Sequence, residues 1–332
     1  MKRRLLPSAF LVWAALGSAA VQAKIAPAQT TSAQALPAQV ATSTLANAFS
    51  ADRLSFQLEG FGKVAYYADT TGTGRPLVLV TSVNAAASAY EMRPLFLAYR
   101  GTRPVYVLEW PGFGSSDRPD IRYTPALMTS ALLQLVKLAG ADVDVVALSL
   151  GSEFAARAAL QEPRIRSVAI ISPTGLSEAK TPAQYADEPR NSERLYGTLS
   201  SPLLSGALYG LLSTPFVIDI FLRRSFEGAP DPGLEAYSVQ STRQPGAVYA
   251  PLFFISGLLR APDGLTEVYS KVTQPMLVLY DRDGYINFNR LPQFLALPNA
   301  SAVKVAPTRG LPQFEQLAQV TAALDTFWAG LK

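Results

Sequence analysis

Six short, largely apolar runs recur along this chain with helix-like segments between them, and no other feature limits its fold so strongly. They are Leu77–Thr81, Pro104–Trp110, Val143–Leu148, Ser167–Ser172, Met276–Tyr280 and Ala302–Ala306. Strands covered on both faces read as short runs of this kind. Ala85–Tyr99, Thr124–Ala139, Leu150–Gln161, Phe288–Leu297 and Phe314–Leu331 have helical spacing, and Thr124-Pro125 suits a cap and first turn. Strands and helices alternating at this interval predict the α/β class, with a mostly parallel central sheet flanked by helices. Phe56–Glu59 and Lys63–Ala68, with Gly60 and Gly62 between them, predict two adjacent strands ahead of it. The alternation stops at Pro173 and resumes after Val272. A core of residues 51–172 and 273–332 is therefore expected to carry a helical lid insertion over 173–272.

The N-terminus has a different character. Lys2, Arg3 and Arg4 precede an apolar stretch from Leu5 to Val21, and small residues flank Gln22. Charge, apolar stretch and cleavage site together predict a signal peptide over 1–23, and so a secreted or periplasmic protein with no stable membrane span after cleavage. Residues 24–50, rich in Ala, Gln, Thr, Ser and Pro, are expected to be a flexible linker. Without the three N-terminal cations, 26 basic residues face 25 acidic ones, a balance that gives nucleic acid no electrostatic reason to bind.

Two residue types are missing altogether. The 332 residues include no cysteine, which excludes disulfides, thiolate metal sites, cysteine nucleophiles and lipidation at the cleavage site. They also include no histidine, the commonest general base and metal ligand. No motif calls for a metal or any other cofactor.

Ala147-Leu-Ser-Leu-Gly151 stands between an apolar strand and an alanine-rich helix. Small neighbours allow the sharp turn that lifts a serine hydroxyl clear at a helix N-terminus, where the Leu150 N–H can hold a developing oxyanion. With this elbow, the turn Pro111-Gly-Phe-Gly-Ser-Ser-Asp117, the insertion, and Gly310-Leu-Pro-Gln-Phe-Glu315 before the last helix, the chain from Leu54 to Lys332 resembles the α/β-hydrolase superfamily. The resemblance implies Ser149 as nucleophile and a second oxyanion N–H from the loop Thr81–Asn84, at Val83. It implies an acid after the penultimate strand, at Asp283 with Asp281 as fallback. The catalytic histidine of relatives falls on Gly310.

A histidine triad is therefore excluded. Arg309 cannot accept a proton. Lys304 alternates with Val303 and Val305 and is expected to face outward, and Glu153 lies about one helical turn beyond Ser149. The insertion contains Leu203–Ile218 without a charge, and is expected to fold its apolar faces over the elbow near Phe221, Phe226, Phe253 and Phe254. Two functions fit: a serine hydrolase of hydrophobic esters or amides with a non-histidine base, or a non-catalytic protein binding an apolar small molecule. Peripheral membrane association through the insertion is a third.

Overall fold

The computed structural model describes residues 45–177 and 180–331, so the expected signal peptide and most of the expected linker lie outside the described residues. Eight strands form one sheet: β1 Asp52–Leu58, β2 Gly62–Asp69, β3 Leu77–Val80, β4 Val105–Leu108, β5 Val143–Leu148, β6 Ile165–Ile171, β7 Met276–Arg282 and β8 Ala300–Arg309. Their order is β1-β2-β4-β3-β5-β6-β7-β8. The β1–β2 and β2–β4 pairs are antiparallel, and every pairing from β4 to β8 is parallel. The order reverses at β3: the chain steps from β3 to one side for β4, then crosses to the other side for β5. In open α/β sheets such a reversal leaves a crevice at the carboxyl ends of the two diverging strands.

The continuous apolar runs arise because each strand feeds two cores. Val78 and Val80 face one side with Val145 and Ala147, while Leu77 and Leu79 face the other with Val146 and Leu148. Helices α1 Arg93–Tyr99, α2 Pro125–Ala139 and α3 Gly151–Ala159 follow β3, β4 and β5. The expected helix over 85–99 is shorter, because the Asn84 Oδ1 accepts the Ala86 N–H and a 3-10 turn occupies Ala89–Met92 before Pro94 opens α1.

Between β6 and β7 the chain forms α4 Pro182–Leu199, α5 Pro202–Leu212, α6 Pro215–Ser225, α7 Pro232–Thr242, α8 Tyr249–Ile255 and α9 Gly264–Glu267. The first four open with proline after Ser, Thr or Asp, a residue pair suited to a helix start. The chain then returns through β7, α10 Leu291–Leu295, β8, α11 Pro312–Glu315 and α12 Leu317–Ala329. The closing helix expected over 314–331 is interrupted at Gln316, whose φ of −137° and ψ of 50° lie outside the helical region.

The last residues of the expected linker do not run free. Leu45, Ala48 and Phe49 are buried, and Phe49 stacks on Phe96 at 4.3 Å and meets Tyr67 edge-on at 4.5 Å. The Ala48 N–H donates to the Tyr67 hydroxyl and the Tyr237 hydroxyl donates to the Ala46 carbonyl. Composition alone concealed this, because one aromatic residue in a polar stretch carries no periodicity.

Candidate active site

Ser149 follows β5 at the reversal of strand order. Its φ is +52°, a left-handed conformation that a side-chain-bearing residue adopts at a cost of about 1–3 kcal/mol. The turn is held by the Ser149 N–H, which donates to the Ile171 carbonyl at 2.9 Å. A Cβ on Gly151 would lie 2.2 Å from the Thr81 carbonyl oxygen, so glycine is what lets α3 start against the loop after β3. The Trp110 Nε1 donates to that same carbonyl at 3.0 Å.

This close approach joins the elbow to the expected oxyanion loop. Ser82 does not contribute its N–H to the site, because Glu91 accepts it at 2.8 Å. Glu91 also accepts from the Ser82 hydroxyl at 2.9 Å and the Asn84 amide at 2.8 Å. Burial raises its carboxyl pKa, opposed by those three donors. The N–H groups of Val83 and Leu150, both residues buried, meet no protein acceptor among the described residues. Glu91 carried no signal in the sequence; only the tertiary contact shows that it shapes this loop.

Asp283 stands in the loop after β7. Its Oδ1 accepts the N–H of Tyr285 at 2.7 Å and of Ile286 at 3.2 Å. Its Oδ2 faces Gly310: a Cβ built there would lie 3.0 Å away. Burial pushes the Asp283 carboxyl up from the ordinary range, opposed by the two backbone donors. Acid and expected histidine position are thus brought together, with glycine in place of a ring. Gly310 has φ +96°, which an L side chain rarely adopts. Asp281 is committed elsewhere, accepting the Thr308 N–H at 2.9 Å and meeting the Lys304 Nζ at 3.4 Å.

Residues 43–323 match the profile of the alpha/beta hydrolase family. The chain belongs to this family. A bacterial membrane phospholipase A aligns with a TM-score of 0.65 and 19% identity over 85% of this chain and 86% of its own. The epoxide hydrolase CorEH gives 0.65 and 20% over 85% and 99%. A thermophilic esterase from Thermogutta terrifontis gives 0.62 and 18% over 85% and 99%. At these identities the likeness is one of fold. No curated protein matches the chain in sequence.

In this α/β hydrolase Lys304, Arg309 and Glu153, the three residues weighed in place of histidine, are all engaged. The Lys304 side chain is 61% exposed and paired with Asp281. Arg309 meets Glu227 at 3.5 Å. Glu153 is buried; one oxygen accepts the Thr174 hydroxyl at 2.5 Å and the other the Ala261 N–H at 2.7 Å, while burial raises its pKa. Glu153 therefore ties α3 to the insertion.

The insertion touches loops on both sides of the site. The Tyr209 hydroxyl of α5 donates to the Ala85 carbonyl at 3.1 Å. At the far end of α6, the Phe221 carbonyl accepts the Tyr285 hydroxyl at 2.8 Å and Arg224 donates to the Gly284 carbonyl at 3.1 Å. The expectation that the insertion packs its apolar faces over the elbow holds only for part of them. Phe253 and Phe226 are buried, but Phe221 is exposed, as are Leu204, Leu211 and Phe216 within or beside the uncharged run. The inward contacts are made by Tyr209 and Ile218, which leaves the opposite side of each helix uncovered.

Proposed function

We propose that this chain is an exported hydrolase of hydrophobic esters or amides that uses Ser149 as nucleophile and works slowly, without histidine. The observation that carries the reading is the left-handed conformation of Ser149. Strain of that kind exposes a hydroxyl at the head of a helix and has no evident use in packing. The Ser149 Oγ attacks the carbonyl carbon while the N–H groups of Leu150 and Val83 receive the oxyanion. Collapse expels the alcohol or amine, and water then releases the acyl group. Asp283, with Oδ2 free of protein donors among the described residues, is the base this reading requires, acting through a water molecule. Loss of a triad histidine costs about 10⁶ in kcat, and roughly 10³–10⁴ over water survives from the oxyanion site and binding, so slow turnover is expected. The inward-facing Tyr209 and Ile218 of the insertion support a hydrophobic substrate, and the Lys-Arg-Arg start with its apolar stretch supports export.

The second reading is a non-catalytic protein that binds an apolar small molecule at the same place. The engagement of Lys304, Arg309 and Glu153 favours it. A fluorophosphonate probe separates the two. Slow labelling of the folded protein that disappears in Ser149→Ala is the outcome expected of the hydrolase. A folded protein that resists labelling over hours is the binding protein. Gly310→His is a poor substitute for this test, because the left-handed backbone at 310 opposes any side chain.

A further inference from the structure

The outward face of α5 and α6 is apolar where a surface helix is ordinarily polar. On α5, Leu204, Ala207 and Leu211 follow one another at helical spacing and are exposed; on α6, Phe216, Ile220 and Phe221 are exposed. Exposure peaks on either side of the bend between the helices, at 59% for Leu211 and 72% for Phe216. The opposite faces hold the buried Tyr209 and Ile218, so apolar residues stand on both the covered and the uncovered side of α5 and of the first turns of α6. Tyr285 extends the patch, its ring centroid 6.2 Å from that of Phe221. Other exposed large apolar residues, such as Leu54, Leu97 and Leu138, belong to separate elements, as is normal for a soluble surface.

Two further features define what covers this face. From Pro202 to Ile218 there is no Asp, Glu, Lys or Arg. The segments Leu204–Leu212 and Pro215–Ser225 together reach the hydropathy of a membrane span, yet they are bent by 60° and neither is long enough to cross. A cation then follows at a definite depth. Arg223 continues the face of Phe216 and Ile220, its side chain 64% exposed and held by Asp219 at 2.7 Å. Seven residues at about 1.5 Å each put it roughly 10 Å along the axis from Phe216. With the bend leading, that separation is the most by which Arg223 can lag behind Phe216 on entry into a lipid surface.

We infer that the bend between α5 and α6 is a membrane-docking edge, which seats in the surface of an anionic lipid bilayer with Leu211 and Phe216 leading. The binding is peripheral and does not depend on the chemistry of Ser149.

The absence of cysteine makes a local test possible. In the full chain, Ala207→Cys provides a single thiol on the patch for an environment-sensitive nitrobenzoxadiazole label, and Leu138→Cys, 46% exposed on α2 in the parent chain, provides a control. With vesicles of mixed phosphatidylcholine and phosphatidylglycerol, the label at 207 is expected to brighten several-fold and shift to the blue, while the label at 138 does not. Adding Leu211→Asp and Phe216→Asp to the 207-labelled chain is expected to raise the lipid concentration needed about tenfold or more, with thermal unfolding unchanged. No change at 207, an equal change at both positions, or binding untouched by the two aspartates would overturn the inference. So would a change at 207 that follows protein concentration in the absence of lipid, since that would mark a face between two copies.

Discussion

At the scale of single residues, the structure brings a serine, a carboxylate and a glycine to the ends of β5, β7 and β8. Ser149 and Asp283 stand where the family resemblance puts them, and Gly310 lies against Asp283 with nothing attached. The Asp283 carboxyl holds its proton to a higher pH when folded than when unfolded, because burial disfavours its charge more than the Tyr285 and Ile286 N–H groups favour it. Its contribution to stability is therefore complete below the unfolded value and is lost as pH rises through the folded one. Asp283→Asn keeps an oxygen for the Tyr285 and Ile286 N–H groups and removes the ionisation. Urea unfolding should find the variant more stable than the parent at pH 7.5 and the difference gone by about pH 3, below the unfolded value. A gap that does not change with pH would mean that Asp283 is not held up by burial.

At the scale of elements, the elbow and the loop after β3 form one unit, because α3 starts in contact with the Thr81 carbonyl. Gly151→Ala would drive a methyl group to 2.2 Å from that oxygen, a contact with backbone on both sides. The expected cost is about 3 kcal/mol or more, read as a fall in the thermal midpoint or a loss of soluble protein. Legibility varied at this scale for local reasons. Strands β3, β5, β6 and β7 are plain because each carries a run of buried apolar residues on both faces, interrupted only by polar positions such as Asp144 and Ser167. The start of α1 was not, because the Asn84 turn belongs to a hydrogen-bond network closed by Glu91. The starts of four insertion helices are legible in the same way, since Thr181-Pro182, Ser201-Pro202, Thr214-Pro215 and Asp231-Pro232 carry the same signal as Thr124-Pro125.

At the scale of the whole molecule, residues 45–50 and the final helix belong to one core on the same side of the sheet, with Leu45, Phe49, Phe96, Val320 and Leu324 buried together. Phe49→Ala should cost about 3–5 kcal/mol, as for other buried aromatic residues, and unfolding in urea would measure it. A cost under ~1 kcal/mol would restore the linker reading for this segment. The same scale holds the contrast within α5 and α6, where Tyr209 and Arg224 contact the loops at Ala85 and Gly284 while Leu211 and Phe216 present an apolar surface outward.

The sequence by itself determined the class of fold, the elbow and the absence of a histidine base, because each depends on local pattern or on composition. Period, turn chemistry and residue counts need no knowledge of neighbours. Tertiary structure alone decided the strand order that brings Thr81 against Gly151, the capture of Ser82 by Glu91, the meeting of Asp283 with Gly310, and which side of α5 and α6 is left bare. These are contacts between residues far apart in the chain. The uncharged α5 has no polar stripe from which its buried side could be read, and the charges of α6 gather toward its C-terminal end.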